Sequence, residues 1–294
     1  MKETIEFRIN SDFSNLLFEE NEGKKMGASI KVVEISKDDP RYVRIPEVAK
    51  MVKEKYDRAF FFGWKIIRKY TKSEINSAQL FQLKIKTVFQ PTGEESGTQY
   101  DEANVCHLCG ANRQQIGSLK LKGNSLPKKD IAKTIGGEII VSDKFIEVFK
   151  SRNLKGLELQ QLIFNNKTST YAQLLVNNEL DLSSRITTGN DPFTFTTGSK
   201  GGTFNVSGYD IKLEREVYIC PYGHLIGLNL LSEASVINSD IINDFDLFVS
   251  KQKLGVRRGL LIPEPVYFCS TKFRKIVEEE KLSGFDFEVA NIVL

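Results

Sequence analysis

A chain of 294 residues with 40% hydrophobic content holds enough apolar material for one large domain or two modest ones. Its 41 basic and 38 acidic residues interleave along the length and leave a formal charge of +3, which argues against a nucleic-acid surface built on a basic stripe. No apolar run reaches a transmembrane length and the start, MKETIEFRINSD, has no signal-peptide core, so a cytoplasmic protein without membrane contact is expected, its four cysteines reduced or bound to metal.

Thr4 to Ile9 alternates, with Ile5, Phe7 and Ile9 on one side, and predicts a half-buried strand; Ala28 to Ile35 predicts a second. Pro46 suits the first turn of a helix, and Val48, Met51, Val52, Tyr56 and Ala59 recur at helical spacing to about Phe60. The run Phe60 to Ile67, FFFGWKII, contains the only tryptophan and is expected in the core rather than as a binding platform. Thr71 and Glu74 have the spacing of a capping box, opening a short helix to about Gln79. Phe81 to Phe89 alternates as one strand. Beyond it, Ser125 and Pro127 predict a helix through Ile131 and Ala132, stopped by Gly136 and Gly137, and then a strand from Glu138 to Val141.

An internal match follows. VSDKFIEVFKSRNLKGLEL, Val141 to Leu159, aligns without a gap on CSTKFRKIVEEEKLSGFDF, Cys269 to Phe287, at a constant offset of 128. Each copy has a serine that can cap a helix (Ser142, Ser270), apolar residues at helical spacing, a leucine (Leu154, Leu282), a glycine suited to leaving the helix (Gly156, Gly284), and a short alternating strand. Between the copies, Thr187 to Gly208 is rich in Thr, Gly, Ser and Asn and reads as hairpin loops. Val217 to Ile219 reads as a strand. Asp240 to Val249 has an apolar helical pattern ended by Gly255, and Pro263 and Pro265 keep the next segment extended at a sheet edge.

Chemistry concentrates at the cysteines. Cys106 and Cys109, in CHLCG, form a Cys-x-x-Cys pair whose following glycine lets the backbone turn tightly, as a tetrahedral metal knuckle requires. A structural zinc takes four ligands, and Cys220 with His224, in CPYGH, offers the other two. His107 is a competing ligand. A redox role for CHLC needs a strand before it and a helix opening at the cysteine, which the polar lead-in DEAN does not resemble. Cys269 lies among apolar residues and is expected in the core. No nucleophile elbow, P-loop or dinucleotide fingerprint is present in the sequence, and no catalytic set stands out.

GTQYDEANVCHLCG, LPKKDIAKTIGGEIIVS, NLKGLEL, CPYGH, GLLIPEPVYFCS and LSGFDFE, in that order, resemble the double-CxxCG motif family first grouped among myxobacterial paralogues. The resemblance covers about the last two-thirds of the chain. It implies a bacterial immunity protein that binds and neutralises a cognate protein toxin by occlusion, without catalysis. The family's second motif places a cysteine where this chain has Gly223, so either His224 stands in as the fourth ligand or this chain has lost the metal. Two other functions make different demands: an enzyme needs a deep polar pocket with perturbed titratable groups, and a zinc-ribbon nucleic-acid binder needs a basic stripe across the knuckles. The expected fold is α+β, with mixed or antiparallel sheets, short helices and an internal duplication joined by a zinc-knuckle pair. The expected divisions are an N-terminal α+β segment over 1–95, a first knuckle with its capped helix over 96–175, and a second over 176–294.

Overall fold

In the computed structural model, residues 1–107, 109–189, 192–193, 203–206, 209–212, 218–219, 222–227, 229–255 and 263–293 are described. Helices and sheets are mixed in an α+β chain with two compact units: residues 1–76 with 190–200, and 77–189 with 201–294.

The first unit contains β1 (Lys2–Asn10), β2 (Lys24–Met26), β3 (Ile30–Ser36), α1 (Ile45–Tyr56), β4 (Phe61–Lys69) and most of α2 (Lys72–Ser77). Its antiparallel sheet runs β2-β3-β1-β4. The alternation in β1 buries Ile5, Phe7 and Ile9 completely, and α1 buries Ile45, Val48 and Val52. This helix ends at Tyr56, short of the expected Phe60, because Asp57 takes a left-handed conformation at φ +52°. The aromatic run divides: Phe60 is buried, whereas Phe62 points outward at 54% exposure. The capping box forms, with the Thr71 N–H donating to Glu74 and the Glu74 N–H to the Thr71 hydroxyl. Phe193 completes this core. Its ring stacks on Phe7 at 5.6 Å and leans on Tyr42 at 4.9 Å, while the Tyr42 hydroxyl donates to the Pro192 carbonyl at 2.9 Å.

The second unit contains β5 (Leu80–Ile85), β6 (Val88–Phe89), β7 (Gln99–Asp101), β8 (Gln114–Ile116), β9 (Leu119–Leu121), β10 (Ile131–Thr134), β11 (Ile139–Val141), α3 (Asp143–Ser151), β12 (Glu158–Phe164) and β13 (Lys167–Leu175). It continues with β14 (Glu179–Leu180), β15 (Thr188–Gly189), β16 (Thr203–Val206), β17 (Tyr209–Lys212), β18 (Tyr218–Ile219), β19 (Leu225–Gly227), β20 (Asn229–Leu230), β21 (Ser235–Ile237), β22 (Leu247–Leu254), β23 (Glu264–Ser270), α4 (Thr271–Glu279) and β24 (Phe285–Val293). One large sheet runs β6-β10-β11-β13-β12-β9, a second runs β18-β19-β22-β23-β5-β24-β21 with β14 alongside β22, and β7-β8, β15-β20 and β16-β17 form two-stranded pairs. Three antiparallel pairings and one parallel pairing order β10-β11-β13-β12-β9, and the same succession orders β22-β23-β5-β24-β21.

The aligned helices correspond closely. Ser142 and Ser270 cap α3 and α4, accepting from the Phe145 and Phe273 N–H groups at 3.2 and 3.1 Å. Asp130, just before β10, accepts from the Ser142 hydroxyl and from the N–H and hydroxyl of Ser283. Asp246, just before β22, accepts from the Ser270 hydroxyl and from the N–H of Lys155, which is the residue aligned with Ser283. Each aspartate thus ties its own helix cap to the loop that leaves the other helix. The glycines of those loops are equally constrained, with φ of +89° at Gly156 and +97° at Gly284.

Three sequence expectations are corrected. Residues 125–132 do not form a helix: Ile131 to Thr134 is a strand whose Ile131 and Ala132 are fully buried in the sheet. Phe81 to Phe89 is not one strand, since β5 and β6 join different sheets. Asp240 to Val249 is a 3-10 turn over Asp240–Asn243 followed by β22, where Leu247, Phe248 and Val249 are all buried; a strand buried on both faces has a continuous apolar run that mimics a helix. The division after residue 95 also moves. Because β5 pairs with β23 and β24, the chain divides at residue 76, and the stretches 96–175 and 176–294 share one unit except for 190–200. Among the described residues, no helix is long and apolar enough to cross a membrane.

Candidate metal centre

The first knuckle hangs on the antiparallel hairpin of β7 and β8. Its turn is closed by the Gly110 N–H donating to the Cys106 carbonyl at 2.7 Å and the Cys106 N–H donating to the Ala111 carbonyl at 2.9 Å. Gly110 at φ +73° and Asn112 at φ +65° reverse the chain, and asparagine is among the few residues that tolerate this region beside glycine. Below the turn the Arg113 guanidinium lies over the Tyr100 ring at 4.0 Å and pairs with Glu94 and Glu102, both at 2.8 Å. The second segment is the turn between β18 and β19, which pair antiparallel. Gly223 has φ +83°, a conformation in which a cysteine side chain would be strained.

The two turns meet. Cys106, Cys109 and His224 lie close enough to hold a metal ion, their ligand atoms all within 4.8 Å of one another. Both cysteines are buried and His224 is partly exposed. His224 Nδ1 lies 3.6 Å from the Cys109 sulfur across 115 residues of chain, and its Nε2 lies 3.3 Å from the Asn112 side-chain amide. Cys220, the fourth expected ligand, lies outside the described residues. His107, the competing ligand, is directed elsewhere: its ring meets Tyr222 edge-on at 4.9 Å, with the Tyr222 hydroxyl 3.1 Å from Nε2. Among the described residues, 103–104, 107 and 109 are turns and no helix opens at Cys106, unlike the geometry of a redox motif. Cys269 is fully buried, and burial pushes its thiol well above the ordinary range, as expected of a core residue.

Sequence reasoning missed Asn112 and Tyr222, which brace the two histidines. Asn112 carried a legible signal, because an asparagine two residues beyond a Cys-Gly turn suits a second left-handed position. Tyr222 carried none.

A cavity of about 270 Å³ lies in the same unit, lined by residues that include Tyr100, Glu138, Gln173, Lys253, Glu264 and Tyr267. Burial raises the Tyr100 hydroxyl above its usual range, reinforced by its hydrogen bond to Glu138, and burial also raises Tyr267. Both phenols are therefore held protonated. Glu138 accepts from Tyr100, Thr134 and the Gly93 N–H, and Glu264 pairs with Lys133. No family model matches the chain, and no curated protein matches it.

Proposed function

We propose that the protein is a non-catalytic binding protein of the immunity type, which occludes a cognate protein toxin and whose scaffold is tied by a structural zinc on Cys106, Cys109, Cys220 and His224. The observation that carries the metal reading is the convergence of Cys106, Cys109 and His224 from distant parts of the chain. Two thiols and an imidazole are the donors that a structural zinc prefers, and a tetrahedral site with sulfur at about 2.3 Å and nitrogen at about 2.0 Å has an S···N edge of about 3.5 Å. The separation of 3.6 Å between Cys109 and His224 fits that edge. Bound there, zinc supplies a cross-link and no reaction chemistry. The matched strand orders and exchanged aspartate bonds support an internal duplication, with a knuckle preceding each serine-capped helix.

The immunity role rests on the motif succession around the two knuckles. The cavity's raised Tyr100 and Tyr267 are perturbed groups of the kind an enzyme site shows and so favour the alternative of an enzyme, whereas Glu138 and Glu264 are already committed to neighbouring donors. A nucleic-acid role finds little support where Arg113, the cation beside the first knuckle, is already paired with Glu94 and Glu102.

Metal content of the reduced, purified protein, measured by mass spectrometry beside Cys106→Ser and His224→Ala, tests the site. About one zinc per chain, lost in both variants, is the expected result. Zinc retained in His224→Ala removes histidine from the ligand set, and zinc-free wild type ends the metal reading. Affinity capture from the native host tests the partner. Recovery of a toxin whose activity is blocked on binding is expected, and turnover of a small molecule with no such partner would favour an enzyme.

A further inference from the structure

We infer that Asn112 is the positioning residue that makes His224 a ligand through Nδ1, by holding the opposite ring nitrogen. The inference rests on the metal reading above. Nδ1 is the nitrogen that faces the Cys109 sulfur, and Nε2 lies 3.3 Å from the Asn112 side-chain nitrogen, a donor to a bare Nε2 that becomes an acceptor only when the amide is turned over. An imidazole that coordinates through Nδ1 carries its proton on Nε2, and that N–H needs an acceptor that also fixes the ring plane. A side-chain amide can meet either tautomer. It donates through nitrogen when Nε2 is bare and, turned over by 180°, accepts through oxygen when Nε2 carries the proton. Asn112 can therefore stay on His224 while the ring changes tautomer as metal enters.

The backbone prepares this role. Asn112 sits at φ +65°, two residues after Gly110, so its side chain turns back over the knuckle from the same reversal that presents Cys109. The second histidine shows the contrast. His107 lies inside the Cys-x-x-Cys pair, but its Nε2 meets the Tyr222 hydroxyl and it is not part of the ligand cluster. The two turns thus exchange side chains in both directions: Asn112 of the first holds His224 of the second, and Tyr222 of the second meets His107 of the first.

Two substitutions separate the amide from the backbone. Asn112→Gly deletes the amide while accepting a positive φ without strain, and Asn112→Asp keeps an acceptor for an Nε2–H but offers no donor. Loss of a residue that orients a metal-bound histidine typically weakens affinity about 10–100-fold, and the exposed setting of Asn112 places the expectation at about tenfold. Zinc affinity of the full chain is measured by competition with a chromophoric chelator. The tautomer of His224 is read by long-range nitrogen–proton NMR, which is tractable because the chain has only two histidines and His107→Gln assigns them.

Expected are Nδ1 coordination with a protonated Nε2 in the zinc-loaded wild type, about tenfold weaker zinc in Asn112→Gly, and affinity near wild type in Asn112→Asp. Zinc bound to His224 through Nε2, or undiminished affinity in Asn112→Gly, overturns this inference and leaves the metal site standing. Wild type that binds no zinc overturns both.

Discussion

Gly284→Ala tests the loop between α4 and β24 at its closest approach to β10. A Cβ at Gly284 would lie 2.3 Å from the Ile131 carbonyl oxygen, and the backbone there has φ +97°. Holding a non-glycine residue in that region costs about 1–3 kcal/mol. The clash is with backbone, so β10 has to shift, and overpacking of this kind costs about 1–3 kcal/mol more. The expected loss is therefore about 2–6 kcal/mol. Gly97 is the control: it has φ +94° but open space around its Cβ position, so Gly97→Ala should show the backbone part alone. Urea unfolding followed by far-UV circular dichroism measures all three proteins. Gly156→Ala, whose Cβ would meet the Leu247 carbonyl at 2.7 Å, should fall with Gly284→Ala. Equal losses for Gly284→Ala and Gly97→Ala would refute the close approach of this loop to Ile131.

Asp130 gives a pH signature. Burial alone would raise its carboxyl, but hydrogen bonds from Ser283 and Ser142 outweigh burial and lower it below the ordinary 3.8. A lowered folded-state value means the stabilisation is complete above 3.8 and is lost as pH falls through the lowered value, so the stability gap between wild type and Asp130→Asn should be open at neutral pH and close in that acid range. A gap that persists unchanged in acid would remove the carboxylate from the account. Phe193→Ala should destabilise the first unit by about 3 kcal/mol, the low end for a buried phenylalanine because a short segment can relax around the loss. Trp64, the only tryptophan, lies in β4 of that unit, so the shift should appear in the fluorescence-detected urea midpoint; an unchanged midpoint would mean that Phe193 is not part of that core. Chelation of the metal should raise hydrogen exchange in residues 102–113 while β10 to β13 keep their protection, and loss of protection across those strands would show that the sheets depend on the ion.

Local chemistry was legible wherever a short stretch determines its own structure. The capping box at Thr71, the serine caps at Ser142 and Ser270, the alternation in β1 and the left-handed glycines at Gly156 and Gly284 all lie within a few residues of the features that define them. What failed was set by distant partners. Ile131 to Thr134 has no strong strand pattern and becomes a strand because β11 and β6 flank it. Leu247 to Val249 reads as helix until sheet neighbours bury both of its faces. At the candidate site, the types and spacing of Cys106, Cys109 and His224 pointed to a metal before any coordinates, whereas Asn112 and Tyr222 took on roles only once two turns more than 100 residues apart had met.

The order of strands explains why a metal at the two knuckles would be local in effect. β5 precedes every strand of the first sheet in sequence but lies between β23 and β24 of the second, while β13, which follows β12 in the first sheet, leads onward into the chain of the second. The two sheets cannot separate without pulling a central strand from one of them, and their helix loops are further held by Asp130 and Asp246 in opposite directions. That interlock uses none of the residues near Cys106, Cys109 or His224. The knuckles instead join the β7-β8 hairpin to the turn ahead of β19, a strand near the edge of the eight-stranded sheet. Under the proposed metal reading, an ion at that point would add little to a frame already closed by strand exchange, but it would fix the two turns against each other, and a surface fixed in this way loses less entropy when it binds a partner.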